Sequence, residues 1–257
     1  VLNADDSNIV DATAHVSKRI CWFSLDAKSP QITQAQMLGQ PCAYLQDDVL
    51  VYWTGTEDAW EIPLKDVPIT LSGAAKHNML NALAAICACS ALGIGAQTIR
   101  KGLSAFVSDQ QNNPGRFNEF SYNGARVIVD FAHNAHSVAA VCDATAQIPA
   151  KRRFLMLSQP GDHSDHAIGE VTTNALEFRP DLIVTAEIAD HLRGRLLGET
   201  TGVIRASAVA AGFSGDNIMA ASSPSVGTKI ILDKLNPDDL ALLLVLSDRD
   251  AVFQSLA

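Results

Sequence analysis

The sequence predicts an α/β protein in two pieces, a mixed first part and a second part with a mostly parallel sheet. Three observations lead there. Beyond residue 115, apolar strand-like segments at 126–130, 153–158, 182–186, 217–220 and 240–247 alternate with helix-like segments, the rhythm of βαβ units. The first third lacks that rhythm and joins short β-branched and aromatic segments to an Ala- and Leu-rich helix. Between them, residues 108–115 read Ser-Asp-Gln-Gln-Asn-Asn-Pro-Gly, a polar linker ending on a turn dipeptide. A length of 257 residues suits one large domain or two modest ones, and we divide it into 1–113 and 114–257.

Taken in order, Val1-Leu-Asn-Ala-Asp-Asp reads as a strand running into a loop, as in a chain that starts inside a domain. Segments 20–25 and 42–53 have strand-like spacing, with Asp47-Asp48 as a hairpin turn. From Leu71 the pattern changes. Ser72-Gly73 precede a helix over 77–92, which Gly93 and Gly95 stop, and a second helix follows over 96–106. Cys87 and Cys89, inside the first helix, read as small core residues. The five cysteines show no disulfide or zinc spacing, and an odd count without a framework suits a reducing cytoplasm.

Composition narrows the function. With 47% apolar and 18% charged residues the chain can bury a core and is not disordered. A net charge of -9 argues against a non-specific nucleic-acid binder and against docking on an anionic membrane surface. No apolar run, 240–246 among them, reaches the roughly 20 residues of a membrane span.

Ligands of parallel sheets bind beyond the carboxyl ends of the strands, so the residues after each strand carry the chemistry. Three such loops are rich in reactive groups: Asp130 to His136, Pro160 to His166, and Glu187 to Arg195. Their carboxylates can accept from ammonium or hydroxyl groups, and Arg193 and Arg195 can grip carboxylates or phosphates. Each also has a plain reading: Asp162 and Asp165 as helix caps, the arginines as surface charges, a lone histidine as a solvated loop residue. A metal-dependent hydrolase built on His133, His136, His163 and His166 with the nearby aspartates is a rival, although no ligand signature supports it.

Nucleotide loops are scarce. Gly93-Ile-Gly95 follows a helix rather than a strand, and Val226-Gly227-Thr228-Lys229 resembles only the end of a phosphate loop. No G-x-x-x-x-G-K-[ST] occurs anywhere, so this chain does not cradle a triphosphate in the P-loop way.

Four ordered segments resemble the Mur ligase superfamily. Val1 to Asp6 looks like a strand of its central ATPase domain. Gly73-Ala-Ala-Lys-His77-Asn78-Met-Leu-Asn81-Ala-Leu-Ala-Ala85 is similar to its Gly-x-His-Asn-x-x-Asn-Ala-x-Ala-Ala helix, lengthened before the histidine. Pro114-Gly115-Arg116 looks like its interdomain turn, and Asp130-Phe-Ala-His133-Asn134 resembles the Asp-Tyr-Ala-His-Asn-Pro loop of its C-terminal domain. Within the superfamily, Gly161-Asp162 with Asp165, and Asp190-His-Leu-Arg193-Gly194-Arg195 with Gly198-Glu199, resemble loops of the cyanophycin synthetases. His163-Ser164 replace an Arg-Arg pair of that family, His166-Ala167 replace Glu-Asp, and Ala135 stands where Pro is usual.

The resemblance implies a partial central ATPase domain followed by a Rossmann-like C-terminal domain. It implies ATP-dependent amide-bond formation through an acyl phosphate, joining an amino acid, arginine in the cyanophycin synthetases, to an aspartate side-chain carboxylate. Adenine would meet His77, Asn78 and Asn81, two of them about a helical turn apart. Arg116 would reach the ATP phosphates, Asp130 the ribose, and His133 with Asn134 the cleft between domains. Arg116 and His133 are the catalytic candidates. Asn134, Asp162, Asp165, Asp190, Arg193 and Arg195 would bind the amino-acid or peptide substrate, and Glu187 would add negative charge for a cationic one. Mg²⁺ would be held by residues upstream of Val1, so the isolated chain is expected to be inert and to bind adenine nucleotide weakly at most. A non-catalytic module that serves homo-oligomerisation is the remaining alternative.

Overall fold

The computed structural model describes residues 1–13, 15–56 and 58–257. The chain folds as two compact units, Val1–Val107 and Ser108–Ala257.

The first unit runs β1 (Leu2–Asn3), α1 (Ser7–Ala12), β2 (Trp22–Ser24), α2 (Pro30–Met37), β3 (Cys42–Gln46), β4 (Val49–Trp53), β5 (Ala59–Pro63), α3 (Lys76–Ala91) and α4 (Ala96–Ala105). Its sheet is ordered β1-β2-β3-β4-β5, parallel from β1 to β3 and antiparallel from β3 to β5. The expected hairpin turn is present: Asp47 and Asp48 both take positive φ, 49° and 60°, as a two-residue turn of matching twist requires. Helix α3 buries Met79, Ala82, Leu83, Ile86 and Cys87, a stripe at helical spacing, against Phe23, Ala43, Leu50 and Tyr52 of the sheet. Three elements lie outside the sequence expectation: α1, α2, signalled by Ser29-Pro30, and β5.

The second unit runs β6 (Asn118–Tyr122), β7 (Ala125–Asp130), α5 (Ala135–Ala146), β8 (Arg153–Leu157), α6 (Asp165–Ala175), β9 (Leu182–Ala186), α7 (Glu199–Ala210), β10 (Ile218–Ala221), α8 (Pro224–Leu232), β11 (Leu240–Leu244) and α9 (Arg249–Leu256). Its sheet is ordered β10-β9-β8-β11-β7-β6, and every pairing is parallel except that of β6 with β7. The mixed α/β class with a mostly parallel sheet is therefore as expected. β6 is an addition, joined to β7 by Asn123-Gly124 at φ 50° and 79°.

Side chains alternate across the sheet. Val127, Val129, Met156, Val184 and Leu243 face one cluster with Ile231, Leu232, Val252 and Leu256 of α8 and α9. By the same alternation, Leu155, Leu157, Ile183 and Thr185 turn to the opposite face. Gly227 lies inside α8, where an added Cβ would stand 2.9 Å from Met156 Sδ and 3.3 Å from Val184 Cγ1. The stretch that looked like the end of a phosphate loop is thus a close helix–sheet contact. All five cysteines are free thiols. No helix of the described residues is long and apolar enough to cross a membrane.

Candidate functional site

In the first unit, the residues expected to meet adenine lie at the start of α3. The chain enters this helix through Leu71, Ser72 and Gly73, all at positive φ. Asn78 Nδ2 donates to the Ile69 carbonyl at 2.9 Å, which ties the first helical turn to that approach. Asn81 is exposed and donates to Asn78 Oδ1 at 3.3 Å, so the two amides lie side by side as the spacing implied. Burial holds the half-buried His77 imidazole below its ordinary value, which keeps it neutral at pH 7.

In the second unit the Pro114-Gly115-Arg116 turn is built by the fully buried Asn118. Its Oδ1 accepts from Gly115 N at 2.6 Å, and its Nδ2 donates to the Ser108 and Asn113 carbonyls at 3.1 and 3.0 Å. Arg116 is exposed, with its guanidinium 5.1 Å from the centroid of the Phe131 ring. Asp130, at the end of β7, is 6% exposed. Its Oδ2 accepts from Phe117 N at 2.8 Å and its Oδ1 from Ala132 N at 2.7 Å. Burial raises its carboxyl above the ordinary value, and these N–H groups and Arg116 offset only part of that. His133 Nδ1 lies 3.1 Å from the Phe131 carbonyl, which can only accept, so Nδ1 is the donor in this contact. Asn134 caps α5 through a reciprocal pair with Ser137.

The loops after β8 and β9 are tied to each other. Arg195 donates to the Gly161 carbonyl at 2.9 Å and the His163 carbonyl at 2.7 Å, and pairs with Asp165 at 2.7 Å. Arg193 pairs with Asp162. Desolvation pushes the Asp162 carboxyl up, but the Arg193 guanidinium, the residue's own N–H and His163 together outweigh it and leave the group below its ordinary value. Gly161 N donates to the His191 carbonyl at 2.8 Å, and an added Cβ would come within 1.9 Å of the Leu192 carbonyl oxygen. Only glycine fits this crossing. The loop after β7 joins the others through the His133 and His163 rings, stacked with centroids 6.5 Å apart.

The three strand-end loops therefore form one mouth, as parallel strands require. The roles inside it are divided differently from a simple reading of the sequence. The arginines hold neighbouring loop groups, Ser164 rather than an aspartate caps α6, and Asp190 is exposed on a short turn. Gln159 is a residue the sequence reading missed. It follows β8 as Glu187 follows β9, and that position was the available signal. His166 pairs with Glu170 one turn along α6. Among the described residues no group of three or more His, Cys, Asp or Glu side chains is placed to hold a metal. The hydrolase reading thus finds no metal cluster to support it.

Comparison with known proteins places this geometry in a family. Residues 115–244 match the model of the Mur ligase, glutamate ligase domain, about half of the chain. The chain belongs to the Mur ligase family. Among its relatives, the cyanophycin synthetase of Synechocystis sp. is 30% identical over 208 residues, which cover 79% of this chain and 23% of that protein. A UDP-N-acetylmuramate–L-alanine ligase of Dichelobacter nodosus is 39% identical over 94 residues, 36% of this chain and 20% of its own. The chain thus spans under a quarter of the cyanophycin synthetases it matches. Solved structures share the fold. UDP-N-acetylmuramate–alanine ligase of Thermotoga maritima gives a TM-score of 0.56 at 15% identity, covering 92% of this chain and 50% of that one. A MurF ligase of the same organism, solved in complex with ADP, gives 0.53 at 13% identity over 98% and 58%.

Proposed function

We propose that this chain is the later part of a cyanophycin-synthetase-like ligase that consumes ATP to form an amide bond. In this reading residues 1–113 belong to a central ATPase domain and 114–257 form the Rossmann-like C-terminal domain. A substrate carboxylate attacks the γ-phosphorus of ATP, ADP leaves, and the resulting acyl phosphate is attacked by an amine of the incoming amino acid. The tetrahedral intermediate then expels phosphate, leaving the amide.

The observation that carries the proposal is the single mouth formed by the three strand-end loops, with His133 stacked on His163 and the arginines bridging the β8 and β9 loops. His77, Asn78 and Asn81 offer polar groups for the adenine edge. Arg116 has no carboxylate partner among the described residues and would serve a phosphate, whose spreading charge a guanidinium stabilises. Asp130 sets the turn that carries Arg116, because it holds Phe117 N. His133 and Asn134 line the mouth, and the ion-paired Asp162–Arg193 and Asp165–Arg195 with Asp190 shape the place of the amino acid.

The test is ligation by the longer protein that contains this chain. Supplied with ATP, an aspartate-containing peptide and arginine, it should release ADP and phosphate and yield a product heavier by one arginine residue, read by mass spectrometry. No ATP-dependent product with any amino acid overturns the reading. The isolated chain should neither hydrolyse ATP nor bind it tightly, and micromolar affinity by calorimetry would contradict that assignment.

A further inference from the structure

The four acids of the β8 and β9 loops differ in what they face. Asp162 and Asp165 are ion-paired with Arg193 and Arg195, and Asp190 is exposed. Glu187 forms no ion pair among the described residues, yet it is only 6% exposed. Its Oε2 accepts from Gly198 N at 2.7 Å and from Thr201 Oγ1 at 3.4 Å, at the start of α7. Its Oε1 is buried and receives no hydrogen bond among the described residues. Gln159 is 1% exposed: its Oε1 meets His163 Nδ1 at 2.8 Å, while its Nε2 is buried with no partner among the described residues. Thr200 Oγ1, in the first turn of α7, is in the same condition.

Two of these side chains lie on one face of the sheet. Leu157 and Thr185 are paired in register on adjacent parallel strands, and Gln159 and Glu187 lie two residues beyond each. Side-chain alternation therefore puts both on the face opposite α8 and α9, where Glu187 already bonds to α7. A carboxylate oxygen, an amide N–H and a hydroxyl buried without partners are costly in a folded protein, and such groups in native structures call for an explanation. Away from water, a carboxylate holds a cation more strongly than an exposed one does.

We propose that Glu187, seconded by Gln159, is the specificity-determining group of the amino-acid site and receives the cationic end of a basic amino acid. A guanidinium or ammonium donates to Glu187 Oε1 while Oε2 keeps its bond to Gly198 N. The inference rests on the ligase reading above and names the substrate class of its mouth.

The test is calorimetric or NMR titration of this chain with L-arginine and with L-citrulline, whose neutral urea has the shape of the guanidinium. Arginine should bind saturably and at least about ten-fold more tightly than citrulline, as expected for a charge-assisted hydrogen bond. Glu187→Gln, which retains an acceptor for Gly198 N, should bring arginine down to the citrulline level. Equal binding of the two ligands, no saturable arginine binding, or an undiminished affinity in Glu187→Gln each overturns the proposal. If that variant fails to fold, the arginine–citrulline ratio of the unsubstituted chain decides alone. Failure of the ligase reading would appear elsewhere, as a longer protein that forms no ATP-dependent product.

Discussion

The mouth of the second unit and the entrance to α3 in the first are both polar, but their polar groups serve different ends. Around the mouth, Asp130, Arg193, Arg195 and Asn134 bond to backbone or to one another, and several do so while partly buried. At α3, Asn78 holds one approaching carbonyl and Asn81 is exposed, bonded among the described residues to Asn78. The contrast teaches that a cluster of reactive side chains at strand ends can be largely scaffold. The groups free to meet a ligand are those the scaffold leaves over.

The largest expected effect tests the tightest part of that scaffold. Gly161→Ala drives a methyl into the Leu192 carbonyl, and backbone on both sides leaves no side chain to yield. It should cost about 3 kcal/mol or more, read by denaturant unfolding with a probe in the second unit. A change under about 1 kcal/mol would mean that the β8 and β9 loops are not locked, and the contrast with α3 would collapse.

Asp130 comes next. Its carboxyl is raised in the folded protein, so the folded state holds the proton more tightly than the unfolded chain does. Its contribution to stability is fully present below the ordinary value of 3.8 and is lost as pH rises from there through the raised value. Asp130→Asn should remove that slope. At neutral pH it should also cost about 2 kcal/mol, since an amide oxygen replaces only one of the two acceptors that Phe117 N and Ala132 N require. Unfolding curves across the acidic range, wild type against variant, measure both effects.

Arg195→Met follows, with a cost of about 1–2 kcal/mol. It removes two hydrogen bonds to carbonyls, while the pair with Asp165 counts for little because that carboxylate is 71% exposed. In the longer protein the same change should raise the KM for the amino acid more than that for ATP.

Much of this architecture was legible in the sequence. The five parallel strands were visible because each centres on an apolar stretch, from Leu240–Leu244, buried throughout, to the shorter and partly exposed Ile218–Ala221 at the edge. β6 was missed because Asn118-Glu-Phe-Ser-Tyr is an amphipathic edge strand, although Asn123-Gly124 marks its turn. The convergence of the strand-end loops was also readable, since parallel strands leave no other arrangement. The assignment of charges inside the mouth was not. Whether Arg195 reaches a ligand or the carbonyls of Gly161 and His163 depends on a loop crossing that no spacing rule encodes. Glu187 and Gln159 became distinct only through burial, since their residue types alone do not separate them from the other acids and amides of the loops.

The smallest structural effect belongs to α3, where the contrast is sharpest. Asn81 is exposed, and its bond to Asn78 is a surface contact between neutral groups. Asn81→Ala should therefore leave the unfolding midpoint within about 1–2 °C, with alanine's helix propensity offsetting the lost bond. In the longer protein it should raise the KM for ATP several-fold, because a purine edge loses an amide partner, while the KM for the amino acid stays put. If stability falls substantially and the ATP dependence does not move, Asn81 is scaffold as well, and the division drawn between α3 and the mouth is wrong.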